Sequence, residues 1–418
     1  MSFIPSFRLL VVCFSAFAAS LPMAWVSLAK LMLFITCLIF LIFQLVVANG
    51  GKFAPKLWAG YAILAAVLAF AVSLFWSVAP SDVALVAFTK HSKLLEVLLL
   101  ISLIRTEREA RLGVIVFLLG QALFLASSWA MAAGWQIPWA SSDWATEPRN
   151  RHVVYSSYLD QSILFATSAA IFWHLRGLWP RWRYLATMMA ALGATNALFL
   201  LEGRTGYTVA LTMLTMAIVW AIPKKMRLIA VLIVPVMILA AAYSVSTKIS
   251  QRLSDVVSES QSYAHQGRNE SSSGFRLNAW KRSLQAISEE PLMGRGVGSW
   301  TVTIKQLEGP SALKVFGAGN ASNPHQEYLL WGVELGVGGI MLLLAIFWGG
   351  IRDALGFVQP VMRSTLSLLA SAATACLFNS ALYDALVGDY FCVALGLLFA
   401  LGLHSSPVKQ MTLPKAVQ

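Results

Sequence analysis

Charged residues are scarce in this sequence. Only 12% of its 418 residues are charged, whereas 58% are hydrophobic, and ordinary soluble domains carry roughly 25% charged residues. Apolar runs such as residues 31–47 and 366–377 approach the length of about 20 residues that crosses a bilayer. The composition therefore excludes a soluble enzyme and indicates an all-α polytopic membrane protein.

Patterns that form disulfides or bind metals are also missing. The four cysteines all lie within apolar runs, which is typical of small buried hydrophobic residues. The six histidines are scattered, and no Asp-x-Asp pair is present to hold a divalent ion against a diphosphate. We therefore expect neither a metal nor a cofactor.

The net charge of +12 is explained by membrane topology rather than by nucleic-acid binding. Hydropathy predicts about twelve transmembrane helices, and with the N-terminus inside, sixteen basic residues but only three acidic ones fall in the inner segments. This excess satisfies the positive-inside rule and predicts that both termini are cytoplasmic. The predicted helices cover residues 9–29, 31–47, 57–78, 83–104, 112–135, 159–176, 184–201, 206–222, 228–246, 326–350, 364–386 and 388–404.

One large external insert interrupts the membrane domain. Nine helices precede it in residues 1–246, the insert covers residues 247–325, and residues 326–418 contain three helices and a cytoplasmic tail. Within the insert, Ser273 is expected to cap an amphipathic helix that ends before Pro291. Long external loops carry basic residues freely, but Arg149, Arg151 and Arg204 lie in short segments, which favours an anionic ligand on the outer face.

Arg204 is the first candidate for contact with that anion. It lies between Gly203 and Thr205, where one predicted helix ends and the next begins. Glycine permits close approach, Thr205 is expected to cap the incoming helix, and the backbone N–H groups and the guanidinium together suit a phosphate. The alternative is an arginine that reaches toward lipid headgroups.

His325 is a candidate general base. Asn323 is expected to cap the tenth predicted helix, with Pro324 first in the helix and Gln326 in the position of a capping-box residue. His325 would then lie in the first turn, where the helix dipole favours the neutral imidazole. The alternative is a histidine that is only hydrogen-bonded at the membrane interface.

Glycines alternate in residues 291–298 in the pattern G-x-G-x-G. This run lacks the spacing and the strand–helix setting of a dinucleotide-binding loop. We expect a tight loop that returns the insert to the membrane, with Arg295 as a candidate contact for an anion.

These features together resemble the bacterial O-antigen ligase and polymerase superfamily of lipopolysaccharide assembly. The resemblance covers the hydropathy profile and is most specific in residues 194–340. Two departures are Gly203, where serine is more usual, and Arg295, where an apolar residue is usual. The motifs that carry the resemblance are Gly203-Arg204-Thr205, the insert from Lys248 to Pro324, Arg276 with Trp280, residues 291–298 and His325-Gln326.

The resemblance implies transfer of O-antigen polysaccharide from undecaprenyl diphosphate to lipid A-core at the periplasmic face of the inner membrane of a Gram-negative bacterium. Arg204 and Arg276 would hold the diphosphate, and His325 would accept the proton of the attacking hydroxyl in a single inverting displacement. Membrane lipids are the only other expected partners. Further predicted substrate contacts are Thr205, Arg295, Gln326, Arg149 and Arg151.

Three alternatives remain at this point. An O-antigen polymerase and a protein O-oligosaccharyltransferase belong to the same superfamily, although the single large insert near the C-terminus favours a ligase. An organic-anion transporter would also explain external arginines, but it predicts charged or broken helices near the bilayer midplane. Glu96 is the clearest acidic residue inside a predicted helix, and no pair of predicted helices is interrupted by Gly or Pro.

Overall fold

The computed structural model describes residues 3–47, 57–140, 150–245, 247–266, 271–309 and 323–405. These ranges contain sixteen α-helices and no strand, which confirms the all-helical prediction. The helices are α1 (Phe3–Ala18), α2 (Met23–Val47), α3 (Trp58–Ser73), α4 (Ser81–Ser92), α5 (Leu95–Leu103), α6 (Glu107–Ala132), α7 (Tyr158–Leu175), α8 (Arg183–Thr195), α9 (Arg204–Ala221), α10 (Arg227–Val245), α11 (Thr247–Gln266), α12 (Ser272–Glu289), α13 (Trp300–Glu308), α14 (Glu327–Ala354), α15 (Gln359–Phe378) and α16 (Ala385–Ser405).

Among the described residues, five helices are long and apolar enough to cross a membrane. They are the segment Met23–Ile42 of α2 and the whole of α6, α14, α15 and α16. Eighteen helical residues rise about 27 Å, which is close to the thickness of the bilayer hydrocarbon. The chain is accordingly a multi-pass membrane protein, and the number of twelve spans stays a prediction.

The helix α16 forms the centre of the bundle. Nearly all of its side chains are buried, because α5, α6 and α15 pack around it. The helix α7 packs on α8, α9 and α15, while α14 packs along α3 and contacts α12. Three of the four cysteines are buried and all four are free thiols, as their positions in apolar runs predicted. The helices α9, α12 and α15 meet at the candidate site described below.

The bundle contains a cluster of charged side chains between its apolar helices. Lys30 Nζ on α2 lies 2.7 Å from Asp389 Oδ1 on α16 and 3.6 Å from Glu96 Oε1 on α5. Both carboxylates are almost fully buried. A charge inside a membrane is costly unless it is paired, so this cluster fixes α2 and α5 against the central helix.

A break in α14 receives the glycine-rich loop of residues 291–298. Gly336 interrupts the helix with a φ of 66°. The Val337 N–H donates to Pro291 O at 2.8 Å, and Val333 O accepts from the Arg295 N–H at 2.8 Å. Gly294 approaches Gly336 so closely that a Cβ on it would overlap the Gly336 backbone. Backbone packing against α14 therefore requires Gly294, whereas Gly296 packs against Ser77 and Gly298 against α4.

Candidate functional site

The segment before Arg204 is shaped by a π-helical turn. Residues Asn196–Leu200 form this turn after α8, and the Leu201 N–H donates to Asn196 O. Gly203 is the N-cap of α9, which begins at Arg204. The expectation that Thr205 caps the helix is wrong, because α9 begins one residue earlier and Thr205 is buried within its first turn.

Two glycines bring α9 against α7. A Cβ at Gly203 or at Gly206 would overlap the hydroxyl oxygen of Ser162. That hydroxyl donates to Leu159 O at 2.7 Å and so has a fixed orientation. Any side chain at position 203 would therefore require Ser162 to move. The close approach fixes the position from which Arg204 projects.

Arg204 binds a carboxylate of the insert. Its Nη1 and Nη2 atoms donate to Oε2 and Oε1 of Glu259 on α11 at 3.1 Å and 3.0 Å. Nη1 also donates to the Ser273 hydroxyl at 2.9 Å, and the Ser273 N–H donates to Glu259 at 2.9 Å. Burial alone would raise the pKa of Glu259, but the hydrogen bonds from Arg204 and Ser273 lower it to about 2. Glu259 is thus held in its ionised form.

Arg276 lies on α12 near Arg204 but has no hydrogen bond or ion pair with any residue that the structure describes. Burial, followed by the positive charge of Arg204, lowers its pKa. The predicted cap of this helix is wrong, since Ser271 rather than Ser273 accepts the hydrogen bond from the Gly274 N–H. Ser273 lies instead in the first turn, where its N–H and hydroxyl are directed at Glu259 and Arg204.

Both arginines line an apolar groove of about 400 Å³. The Trp280 indole also lines it, and the indole N–H is buried without a hydrogen-bond partner among the described residues. The outer face of α10 carries exposed aliphatic side chains, typical of contact with lipid. The groove is therefore mostly apolar and has two guanidinium groups in its wall. Its apolar lining includes Leu211, Leu214, Ile238, Leu239, Leu277 and Phe378.

His325 lies next to this groove, although not in the predicted conformation. The N-cap of α14 is Gln326, whose side chain accepts from the Leu329 N–H at 2.6 Å. The prediction that Asn323 caps the helix and that His325 lies in its first turn is therefore wrong. The carboxamide oxygen of Asn323 instead accepts from the His325 N–H at 2.8 Å, and the His325 backbone has a φ of 51°. The helix-dipole argument for a neutral imidazole no longer applies.

The His325 ring is positioned by two side chains. Nδ1 lies 3.3 Å from the Asn379 carboxamide oxygen, and the ring packs edge-on against Phe275 with centroids 5.5 Å apart. A carboxamide oxygen only accepts hydrogen bonds, so this contact favours the tautomer with the proton on Nδ1 and a basic Nε2. Phe275 precedes Arg276, and Asn379 follows Phe378, which lines the groove. The histidine therefore contacts the chain neighbours of two residues that line the groove, Arg276 and Phe378.

The other predicted contacts are dispersed. Arg295 pairs with Glu289 and donates to the Gln306 carboxamide oxygen at 3.0 Å, and it does not line the groove. Arg151 is exposed and also lies outside the groove lining. Gln326 acts as the helix cap, Thr205 lines the groove, and Arg149 lies outside the described residues.

Sequence reasoning missed Glu259, Ser273 as an arginine contact, and Asn379. Glu259 is 55 residues from Arg204, so no local spacing connects them. A carboxylate on an amphipathic helix is usually exposed to solvent. Only the unusual position of Arg204 in a short external segment indicated that an anionic partner was needed.

Comparison with known families supports the assignment made from these motifs. Residues 188–344 match the family model described as O-antigen ligase. The comparison with curated proteins gave no match. The matched region contains Arg204, Arg276, the glycine-rich loop and His325, and the match supports the O-antigen ligase superfamily for this part of the chain.

Proposed function

We propose that this protein is an O-antigen ligase, which transfers O-antigen polysaccharide from undecaprenyl diphosphate to a sugar hydroxyl of lipid A-core. One observation carries the proposal: Arg204 and Arg276 line a single apolar groove, and His325 packs against Phe275, the neighbour of Arg276 in the chain. The donor has the same order of parts: its apolar polyprenyl chain would lie in the groove, its diphosphate at the arginines and its reacting sugar near the histidine.

The groove suits a polyprenyl diphosphate better than a free sugar phosphate. Its walls are mainly aliphatic, and apolar burial contributes about 25 cal/mol per Å². Arg204 and Arg276 offer planar guanidinium groups that can each hold a phosphate with two hydrogen bonds. The Trp280 N–H adds a third donor in the same groove. The volume of about 400 Å³ holds only part of such a lipid, so the rest of the chain would extend into the bilayer.

The reaction is a single displacement at the anomeric carbon of the donor. The acceptor hydroxyl attacks this carbon, its proton passes to His325 Nε2, and the bond from the carbon to the phosphate oxygen breaks. The leaving undecaprenyl diphosphate gains one negative charge, which the two arginines stabilise. Inversion at the anomeric carbon follows from a single displacement. General-base catalysis of this kind contributes roughly 10²–10⁴ in rate.

The basic inner segments of the sequence support an orientation in which both termini are cytoplasmic. In that orientation His325 and the helices of the insert face the periplasm. Both substrates would then meet at the outer surface of the inner membrane. The donor would enter sideways from the lipid, past α9 and α10.

Reconstitution with purified components tests the function. Purified protein in proteoliposomes is mixed with undecaprenyl-diphosphate-linked O-antigen and lipid A-core, with and without a metal chelator, and linked product is separated by gel electrophoresis. We expect product in both cases. His325→Ala should lower the rate by at least about 10²-fold. Full activity of that variant would exclude the proposed base.

Omitting each substrate distinguishes the ligase from its relatives. Longer chains formed on the lipid carrier in the absence of lipid A-core would identify a polymerase. Transfer to an added pilin, but not to lipid A-core, would identify a protein O-oligosaccharyltransferase. Arg204→Lys keeps the charge but loses the planar guanidinium, so unchanged turnover in that variant would exclude a diphosphate clamp at Arg204.

A further inference from the structure

Glu259 occupies a position that has the chemistry of a phosphate site. Its carboxylate accepts two hydrogen bonds from Arg204 and one from the Ser273 N–H, which lies in the first turn of α12. An arginine combined with a helix N-terminus is an arrangement that binds phosphate groups. The two oxygens of Glu259 therefore stand where two oxygens of a phosphate would be held.

Glu259 also lies beside the groove. It is three residues from Val256, so the two share one face of α11, and Val256 lines the groove together with both partners of Glu259, Arg204 and Ser273. A side chain on this face can leave Arg204 by rotating or by moving with α11. Either movement would open the arginine end of the groove.

The charges of the site favour an exchange. With Glu259 bound, two guanidinium groups face one carboxylate, and Arg276 has no ion-pair partner among the described residues. When Glu259 leaves, Arg204 and Arg276 present two positive charges, which equal the two negative charges of a polyprenyl diphosphate sugar. The donor can thus replace the carboxylate without leaving a guanidinium unpaired.

We infer that Glu259 is an internal substitute for the donor diphosphate, which occupies Arg204 until the donor displaces it and so sets the affinity for the donor. This inference rests on the function proposed above. It makes Glu259 a determinant of donor affinity rather than a catalytic residue, because its carboxylate leaves before the reaction occurs.

The test measures binding of undecaprenyl diphosphate to the full-length protein in detergent micelles, separately from turnover. Glu259→Gln keeps the shape of the side chain but removes the competing charge, and Glu259→Ala removes the competitor entirely. We expect both variants to bind undecaprenyl diphosphate about tenfold more tightly than the unmodified protein. The KM for the donor should fall by a similar factor, while kcat should not rise.

Asp255→Asn is the matched control. It removes one carboxylate from the same helix, one turn away, so it reproduces the change in net charge without touching Arg204. We expect its affinity to stay within about twofold of the unmodified protein, because Arg204 pairs with Glu259 and Ser273 rather than with Asp255. Unfolding in detergent establishes that each variant is folded.

Two results would overturn the inference. Unchanged or weaker binding in both Glu259 variants would mean that Glu259 orients Arg204 instead of blocking it. An equal gain in Asp255→Asn would mean that net charge alone sets the affinity. Arg204→Ala separates these failures from failure of the proposed function: if this variant binds undecaprenyl diphosphate as the unmodified protein does, the donor site itself is misplaced.

Discussion

The contact between Gly203 and Ser162 offers a sharp test of how Arg204 is positioned. A methyl group at residue 203 would overlap the Ser162 hydroxyl oxygen, whereas Ser162 Cβ would be 3.1 Å away and Leu159 Cα 3.4 Å away. The hydroxyl is thus the principal obstacle. We predict that Gly203→Ala destabilises the protein by about 1–3 kcal/mol, the usual cost of overpacking a core.

Removing the obstacle should rescue the variant. Ser162→Ala alone loses the hydrogen bond to Leu159 O and should cost about 1 kcal/mol. In the double variant the new methyl group meets only Ser162 Cβ, at a distance that needs a shift of a few tenths of an ångström. The double variant should therefore be about as stable as Ser162→Ala, with a coupling energy of about 1–2 kcal/mol.

Gly206 provides the control. A Cβ there would overlap Ser162 Cβ as well as the hydroxyl, and it would lie 3.1 Å from the Ser162 carbonyl carbon. Removing the hydroxyl leaves that overlap in place. Gly206→Ala should thus remain destabilised in combination with Ser162→Ala, and its coupling energy should be below about 0.5 kcal/mol.

The assay is reversible unfolding in mixed detergent and SDS micelles, combined with binding of undecaprenyl diphosphate. Gly203→Ala should weaken binding because it shifts the start of α9, and the second substitution should restore both stability and binding. The reasoning is refuted if Gly203→Ala is as stable as the unmodified protein. It is also refuted if Ser162→Ala rescues Gly206→Ala equally well.

Three further predictions concern groups around the site. Asn379→Ala should lower kcat about tenfold with little change in the donor KM, because the proton on Nδ1 of His325 loses its acceptor. A donor KM that rises as much as kcat falls would contradict this. Glu334 is buried, lies 2.8 Å from His91 Nε2 and accepts from the Gly298 N–H at 2.8 Å, so Glu334→Ala should lower the free energy of unfolding by about 3 kcal/mol, and unfolding in mixed micelles measures this. The pKa of Glu259 is depressed from 4.5 to about 2, as hydrogen bonds from Arg204 outweigh the effect of burial; its stabilising contribution is complete above pH 4.5 and is lost as the pH falls toward 2. Glu259→Gln should flatten the dependence of stability on pH in that interval, and an unchanged curve would contradict the assigned ion pair.

The sequence was sufficient to predict the helical class and to select Arg204 and Arg276, which line one groove in the structure. Apolar runs determine helices in a membrane because every backbone polar group must be satisfied within its own segment. An arginine between two predicted membrane helices is more often functional than incidental, so Arg204 could be selected before any geometry was known. The motifs that contain Arg276 and His325 came from the family resemblance; the structure places Arg276 with Arg204 in one groove and His325 against Phe275.

Helix boundaries and long-range partners were not predictable in the same way. Several polar residues near a helix start can each satisfy the same backbone N–H groups, and at α14 Gln326 does so in place of Asn323. The partners Lys30 and Asp389 are 359 residues apart, and no local pattern connects them. Each was visible as a charge in an apolar run, but only packing determines which charge neutralises which.

The hydrogen bonds between the glycine-rich loop and the break in α14 have a consequence for how this protein can be assembled. Val333 O and the Val337 N–H lose their helical partners at Gly336 and regain partners from Arg295 and Pro291. In a membrane, backbone groups left without partners cost several kcal/mol each. The backbone of α14 can therefore be fully hydrogen-bonded only after the glycine-rich loop has packed against it. A chimaera that takes its insert from a relative must take the α14 segment through Val337 with it.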